Sequence, residues 1–130
     1  MIHGSCLCKE VTFTINGNLH SGRYCHCDNC RKFSGTSPAA WAMAKSADVV
    51  ICSANNCVSK FNSGRGQRCF CSHCGSPLWF ESLEYPDTIA IPLGVLDHGY
   101  IPPLKMHIWT QSRPTWCAIH GELPQHKTYP

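Results

Sequence analysis

Eleven of the 130 residues are cysteine, and seven of these form four tight pairs, one of which shares a residue with its neighbour. Cys6-Leu-Cys8 and Cys25-His-Cys27 are Cys-x-Cys pairs, whereas Cys27-Asp-Asn-Cys30 and Cys71-Ser-His-Cys74 are Cys-x-x-Cys pairs. In an extended strand residues i and i+2 point to one face, so a Cys-x-Cys pair can present two sulfurs to one ion at about 2.3 Å each. The Cys-x-x-Cys spacing is that of a zinc knuckle, in which a tight turn brings the sulfurs together. Gly75, directly after the second knuckle, suits the positive φ such a turn needs. Metal ligation, rather than a disulfide framework, is therefore what this chain must fold around.

Two further features argue against disulfides. The cysteine count is odd. The opening stretch Met-Ile-His-Gly-Ser-Cys lacks a charged region followed by an apolar one, so no signal peptide is expected and a reducing, cytoplasmic setting follows. A thioredoxin-like role for Cys27-x-x-Cys30 would need a surrounding βαβ pattern, which is missing.

Cys25, Cys27 and Cys30 can supply three ligands to one ion unaided, while Cys6/Cys8 and Cys71/Cys74 each supply two and need a partner pair. The economical arrangement has two ions. One is a closed structural zinc on Cys6, Cys8, Cys71 and Cys74, and the other a three-thiolate zinc on Cys25, Cys27 and Cys30. Closed tetrahedral sites are structural, and three protein ligands with an open position are the catalytic pattern. A fourth protein ligand would make the second site structural too; Cys69 is the main candidate, with His26 and His73 beside the knuckles. Four-cysteine sites also hold iron, although soft thiolates at tetrahedral spacing favour zinc. Cys52, Cys57 and Cys117 read as small buried hydrophobes. Cys52 and Cys57 flank the turn Ser53–Asn56 and would face each other if that segment were a hairpin, close enough to bridge on oxidation.

The rest of the chain predicts a mainly β fold with little helix, forming one zinc-binding domain over 1–130. Val11, Phe13 and Ile15 alternate with Thr12 and Thr14 ahead of an Asn-Gly-Asn turn. Residues 22–27 run extended into the knuckle, and 27–34 suit a short helical turn. Further strands are expected over 39–44, 48–52, 58–62, 67–70, 77–81, 88–92 and 106–110. The tail after Arg113 reads as irregular but packed, because Trp116 and Ile119 need cover. The longest uncharged stretch, from Phe33 to Ala44, is broken by Gly35 and Pro38 and too short to span a bilayer.

Three motifs stand in order along the chain: Gly4-Ser-Cys-Leu-Cys8 before a Val-x-Phe strand, Cys25-His-Cys-Asp-Asn-Cys-Arg-Lys-Phe-Ser-Gly35, and Phe70-Cys-Ser-His-Cys-Gly-Ser-Pro-Leu78. His107-Ile-Trp109, Ser112, Trp116 and Leu123-Pro124 follow. Together they resemble the glutathione-dependent formaldehyde-activating enzyme family, which includes the centromere protein V type. The resemblance implies an Mss-four-like β-tent fold and the same division into a structural zinc (Cys6, Cys8, Cys71, Cys74) and a functional zinc (Cys25, Cys27, Cys30). It implies carbon–sulfur lyase or synthase chemistry of the S-(hydroxymethyl)glutathione synthase type, with glutathione as co-substrate and an aldehyde-type partner. Cys69 departs from the family's pattern.

Glutathione carries two carboxylates, so its site should hold cations. Arg23, Arg31 and Lys32 lie near the second cluster in sequence, and Arg65 and Arg68 precede Cys71. Trp41, Trp79, Trp109 and Trp116 suit either a pocket wall or the core, the core being commoner in a small β domain. His98, His107 and His120 are proton carriers by chemistry alone. Two rival readings stand beside the enzyme: a zinc-stabilised binding or scaffold module, and a related thiol-dependent enzyme with another electrophile. A fourth protein ligand on the second zinc would favour the scaffold. A nucleic-acid module would need a basic face, but seven thiolates and two divalent ions add a net charge of −3 to the formal +3. No membrane partner is expected, and nothing in the sequence gives the oligomeric state.

Overall fold

Phe13 and Ile15 are buried on β2 (Thr12–Ile15) while Thr12 is exposed, as the alternation requires of a strand with one face in the core. The computed structural model describes residues 1–100 and 104–130, and places β2 at the centre of a three-stranded antiparallel sheet. Its neighbours are β1 (Ile2–Ser5) and β5 (Val49–Cys52). The seven remaining strands are β3 (His20–Cys25), β4 (Ala39–Lys45), β6 (Val58–Asn62), β7 (Gly66–Cys71), β8 (Pro77–Ser82), β9 (Thr88–Pro92) and β10 (Leu104–Ile108). They form a second sheet in the order β10-β3-β4-β9-β8-β7-β6, parallel only between β10 and β3. The chain is mainly β with little helix.

The two sheets share one core. Val11, Phe13 and Ile15 meet Ala42, Ala44, Trp79, Ile89 and Ile91, and Phe13 meets Trp79 edge-on at 5.9 Å between ring centroids. The small residues of β4 matter here: Ala42 and Ala44 let the opposing rings lie close to the backbone. The β4–β9 pairing, which joins strands far apart in sequence, brings the two cysteine-bearing halves into one sheet.

The single α-helix among the described residues, α1 (Asp28–Ser34), is short because both of its ends are set locally. The Cys27 sulfur accepts from the backbone N–H of Cys30 at the start. Gly35, at φ 73°, closes the other end with its N–H on the Arg31 carbonyl.

Four expectations need correction. Strand β1 is absent from the sequence reading because Gly4 interrupts its pattern; the glycine is there because backbone and ring crowd it from both sides. Cys6 and Cys8 are not on an extended strand but in the turn after β1, where Lys9 adopts φ 66°. Cys52 and Cys57 do not face each other across a hairpin, since the chain leaves the small sheet after Cys52 and enters the large one at β6. Trp116 is 68% exposed; the tail is anchored instead by buried Cys117, whose Sγ lies 3.2 Å from the Ser37 carbonyl.

A Cβ at Gly4 would overlap the Phe13 ring and come within 2.6 Å of the Val95 carbonyl oxygen. Gly4→Ala should cost about 2 kcal/mol. In a thermal melt of metal-loaded protein this lowers Tm by about 5 °C or more; an unchanged Tm would show that the ring yields freely.

Candidate metal centres

The turn after β1 and the β7–β8 turn face each other across the edge of the core. This brings Cys6, Cys8, Cys71 and Cys74 together, all four sulfurs within 4.8 Å of one another. Cys6 and Cys8 Sγ are 3.6 Å apart, and Cys8 and Cys71 Sγ are 3.8 Å apart. Four sulfurs at about 2.3 Å from one tetrahedral ion would be about 3.8 Å from each other, so the set fits such an ion. Backbone N–H groups already point at the sulfurs: Val11 donates to Cys6 at 3.3 Å and Cys74 to Cys71 at 3.5 Å. Hydrogen bonds from the Ser76 hydroxyl and backbone hold the Cys74 thiol down to about 5. His73 Nδ1 lies 3.4 Å from Cys8 Sγ, so His73 stands by this set and not by the other.

The second set is built where β3 runs into α1. Cys25 ends the strand, Cys27 caps the helix, and Cys30 lies in its first turn, with all three sulfurs within 4.8 Å. Among the described residues no fourth Cys, His, Asp or Glu joins them. Cys69 is excluded by strand alternation. It faces the core with Cys71, fully buried, while its neighbour Arg68 faces the three sulfurs. Burial and the nearby Glu81 push the Cys69 thiol up to about 12, so it behaves as a buried neutral group.

Three sulfurs this close cannot all ionise on their own. Hydrogen bonds from Cys25 and then Cys30 hold Cys27 down to about 2, making it the thiolate of the three. Bonds with Cys27 and Cys30, and burial, push Cys25 far above the thiol range. A bond from Cys25 pulls Cys30 down, but Cys27 and burial outweigh it and leave it at about 11. A divalent cation is what would let all three shed their protons.

The trio opens onto a cleft of about 350 Å³, within the range of small-molecule sites. Arg23, Arg65, Arg68 and Glu84 line it with Trp41, Trp109 and Tyr129. Of the five cations the sequence offered for this site, Arg23, Arg65 and Arg68 line the cleft, whereas Lys32 does not and Arg31 pairs with Asp28 at 3.4 Å. The tail supplies Tyr129 because it folds back along β10, with Trp109 N–H on the Thr128 carbonyl at 3.1 Å. Tyr129 packs edge-on to Trp109, and Arg23 and Arg65 lie over the Tyr129 and Trp109 rings. Trp79 is core and Trp116 exposed, so only two of the four tryptophans reach the cleft.

Residues 1–112 match the family model described as glutathione-dependent formaldehyde-activating enzyme. The chain belongs to that family. A Halomonas elongata protein provisionally named as such an enzyme is 26% identical over 129 residues, covering 93% of this chain and 82% of its own. An uncharacterized lyase of Schizosaccharomyces pombe is 31% identical over 78 residues, 59% of this chain and 55% of that one. A Rhodobacter sphaeroides protein of known crystal structure shares the fold, with a TM-score of 0.62 at 20% identity, covering 75% of this chain and 90% of that one.

Behind the trio of this family member lies a buried pair that the sequence offered only as separate histidines. His26 Nε2 and His107 Nδ1 are 2.8 Å apart, and His107 stacks on Tyr24 at 4.8 Å. Burial, then the neighbouring His107 and Arg113, lowers His26 below the usual imidazole range; burial lowers His107. Two neutral imidazoles thus share one proton between β10 and the knuckle. Neither His98 nor His120 lines the cleft.

Loading the trio at neutral pH should release about two protons per ion, those of Cys25 and Cys30, since Cys27 is already a thiolate. Calorimetric titration of the second metal equivalent into wild-type protein already holding one ion per chain, in buffers of different ionisation enthalpy, counts them; release of three would refute the assignment of Cys27. Conversely Cys27→Ser should retain about one ion per chain and stay folded, whereas a Cys27→Ser protein that melts as early as Cys71→Ser would end the distinction between the sets.

Proposed function

We propose that this chain is a carbon–sulfur lyase of the S-(hydroxymethyl)glutathione synthase type, a single domain carrying a structural zinc on Cys6, Cys8, Cys71 and Cys74 and a working zinc on Cys25, Cys27 and Cys30. The observation that carries this reading is the three-sulfur set, without a fourth protein ligand among the described residues, opening into a cleft of mixed charge. A scaffold would be better served by a closed second set. Bound there, zinc would supply the positive charge that lets an incoming thiol lose its proton at neutral pH.

Glutathione has two carboxylates and one ammonium, and the cleft offers Arg23 and Arg65 for the former and Glu84 for the latter. Trp109 and Tyr129 hold both arginines against aromatic faces, which spares the ligand part of the cost of ordering them. The thiol sulfur is thereby carried to the three cysteines. In the synthetic direction a sulfur lone pair forms the bond to the aldehyde carbon. The carbonyl pair moves to oxygen, which takes a proton from water. The lyase direction reverses each transfer. Trp41 and Phe80 line the floor and limit water around the reacting carbon. Eleven free cysteines suit a reducing compartment such as the cytoplasm.

Because formaldehyde and glutathione combine unaided, the test is a rate at equilibrium. Exchange NMR on glutathione, formaldehyde and their adduct should show faster interconversion with the zinc-loaded protein, and the uncatalysed rate with Cys27→Ser. Arg65→Gln should raise KM for glutathione about tenfold with kcat nearly unchanged. A zinc-loaded wild-type protein that leaves the exchange rate untouched would sink the proposal.

A further inference from the structure

Arg68 is the only lysine or arginine buried among the described residues, at 6% exposure. Burying a guanidinium is costly unless anions or aromatic faces offset it. Among the described residues it has no ion-pair partner. Its cation lies over the rings of Phe80 and Phe33, at 4.8 and 5.7 Å from their centroids. Nε donates to the Ser63 hydroxyl at 3.2 Å, and both terminal nitrogens face Cys30 Sγ at 3.9 Å. A guanidinium has five N–H donors, so four remain for that sulfur and for whatever enters the cleft that Arg68 also lines.

Comparison of the two cysteine sets shows what this cation is for. The four-sulfur set with one divalent ion would carry −2. It makes no hydrogen bond to arginine or lysine among the described residues, and draws on backbone N–H groups, Ser76 and His73. Three thiolates with one ion carry only −1, so the resident charge there asks for less compensation. An arginine fixed beside the less charged set is accounted for when one more anion arrives. With Cys25 and Cys30 only 6% and 7% exposed, a second negative charge beside them is screened poorly by solvent.

We propose that Arg68 holds the sulfur of the incoming thiol in its anionic form, its proton having passed to solvent. Arg68 is thus a substrate-binding residue that acts at the sulfur, whereas Arg23 and Arg65 act at the carboxylates. This rests on the thiol-binding reading above. A neutral residue here would leave the cleft able to take the peptide but not the thiolate. Lysine would restore the charge without the planar fork wedged between two rings.

The test is calorimetric binding of glutathione and of S-methylglutathione, whose sulfur cannot ionise, to zinc-loaded wild-type protein, Arg68→Gln and Arg68→Lys. Zinc content is measured alongside. Arg68→Gln should weaken glutathione about tenfold or more and leave S-methylglutathione within about twofold, with two ions retained; Arg68→Lys should recover part of the loss. Equal weakening of both ligands, or of neither, would overturn the assignment. Loss of the second ion would also overturn it, since Arg68 would then serve Cys30 alone. If Arg68→Gln fails to fold, Arg68→Lys is read by the same ratio. Wild-type protein that binds neither ligand would instead overturn the glutathione reading itself.

Discussion

The structure turns on two sets of sulfurs gathered as closely as a divalent cation would hold them. Cys6 and Cys8 lie more than 60 residues from Cys71 and Cys74, yet the Cys8 and Cys71 sulfurs sit 3.8 Å apart and all four lie within 4.8 Å of one another. Closing so long a loop is entropically costly, and a thiolate–metal bond set is strong enough to offset it. The consequence reaches well beyond the ligands. The turn that holds Cys6 and Cys8 also orients β1, and with it the whole small sheet whose Phe13 and Ile15 complete the core against Trp79.

The seven-stranded sheet carries opposite chemistry on its two faces. Along β7, Cys69 and Cys71 face the core while Arg68 faces the open trio. One strand therefore contributes a ligand to the first set and a cation to the second. Trp109, just after β10, and Tyr129, from the returning tail, then hold Arg65 and Arg23 over the mouth of the cleft. The first set is the fixed end of this arrangement. The second, set where a strand stops and a capped helical turn begins, is open to solvent on the side where charge is concentrated.

Much of this could be read from the chain itself. The alternation in 11–15, the short strands at 58–62 and 88–92, and the helical turn after Cys27 are local consequences of side-chain pattern and of a sulfur that caps a helix. They appear where expected. What escaped had non-local causes. Strand β1 is held by pairing with β2 around a glycine, not by its own residues. Cys52 and Cys57 look like hairpin partners until the chain changes sheets between them. Trp116 looks like the tail's anchor but is exposed, and the side chain buried there is Cys117, which the sequence marked only as a small buried hydrophobe.

Sequence alone determined which neighbouring cysteines pair, because knuckle spacing is a property of a few adjacent bond rotations, and it offered the joining of Cys6 and Cys8 to Cys71 and Cys74 as the economical option. It also determined the β character, because strand periodicity repeats every two residues. Only the tertiary structure decided what surrounds the open trio. Arg65 and Arg68 stand 35 and 38 positions from Cys30 and beside the other cluster's cysteines in sequence, so proximity along the chain offers them as cations without saying which set they face. The pleat of β7 turns Arg68 toward the trio, Arg65 stands just before that strand, and the long-range β4–β9 pairing brings both to the cleft. Charge, unlike ligand spacing, is felt through space, and the folded sheet is what sets those distances.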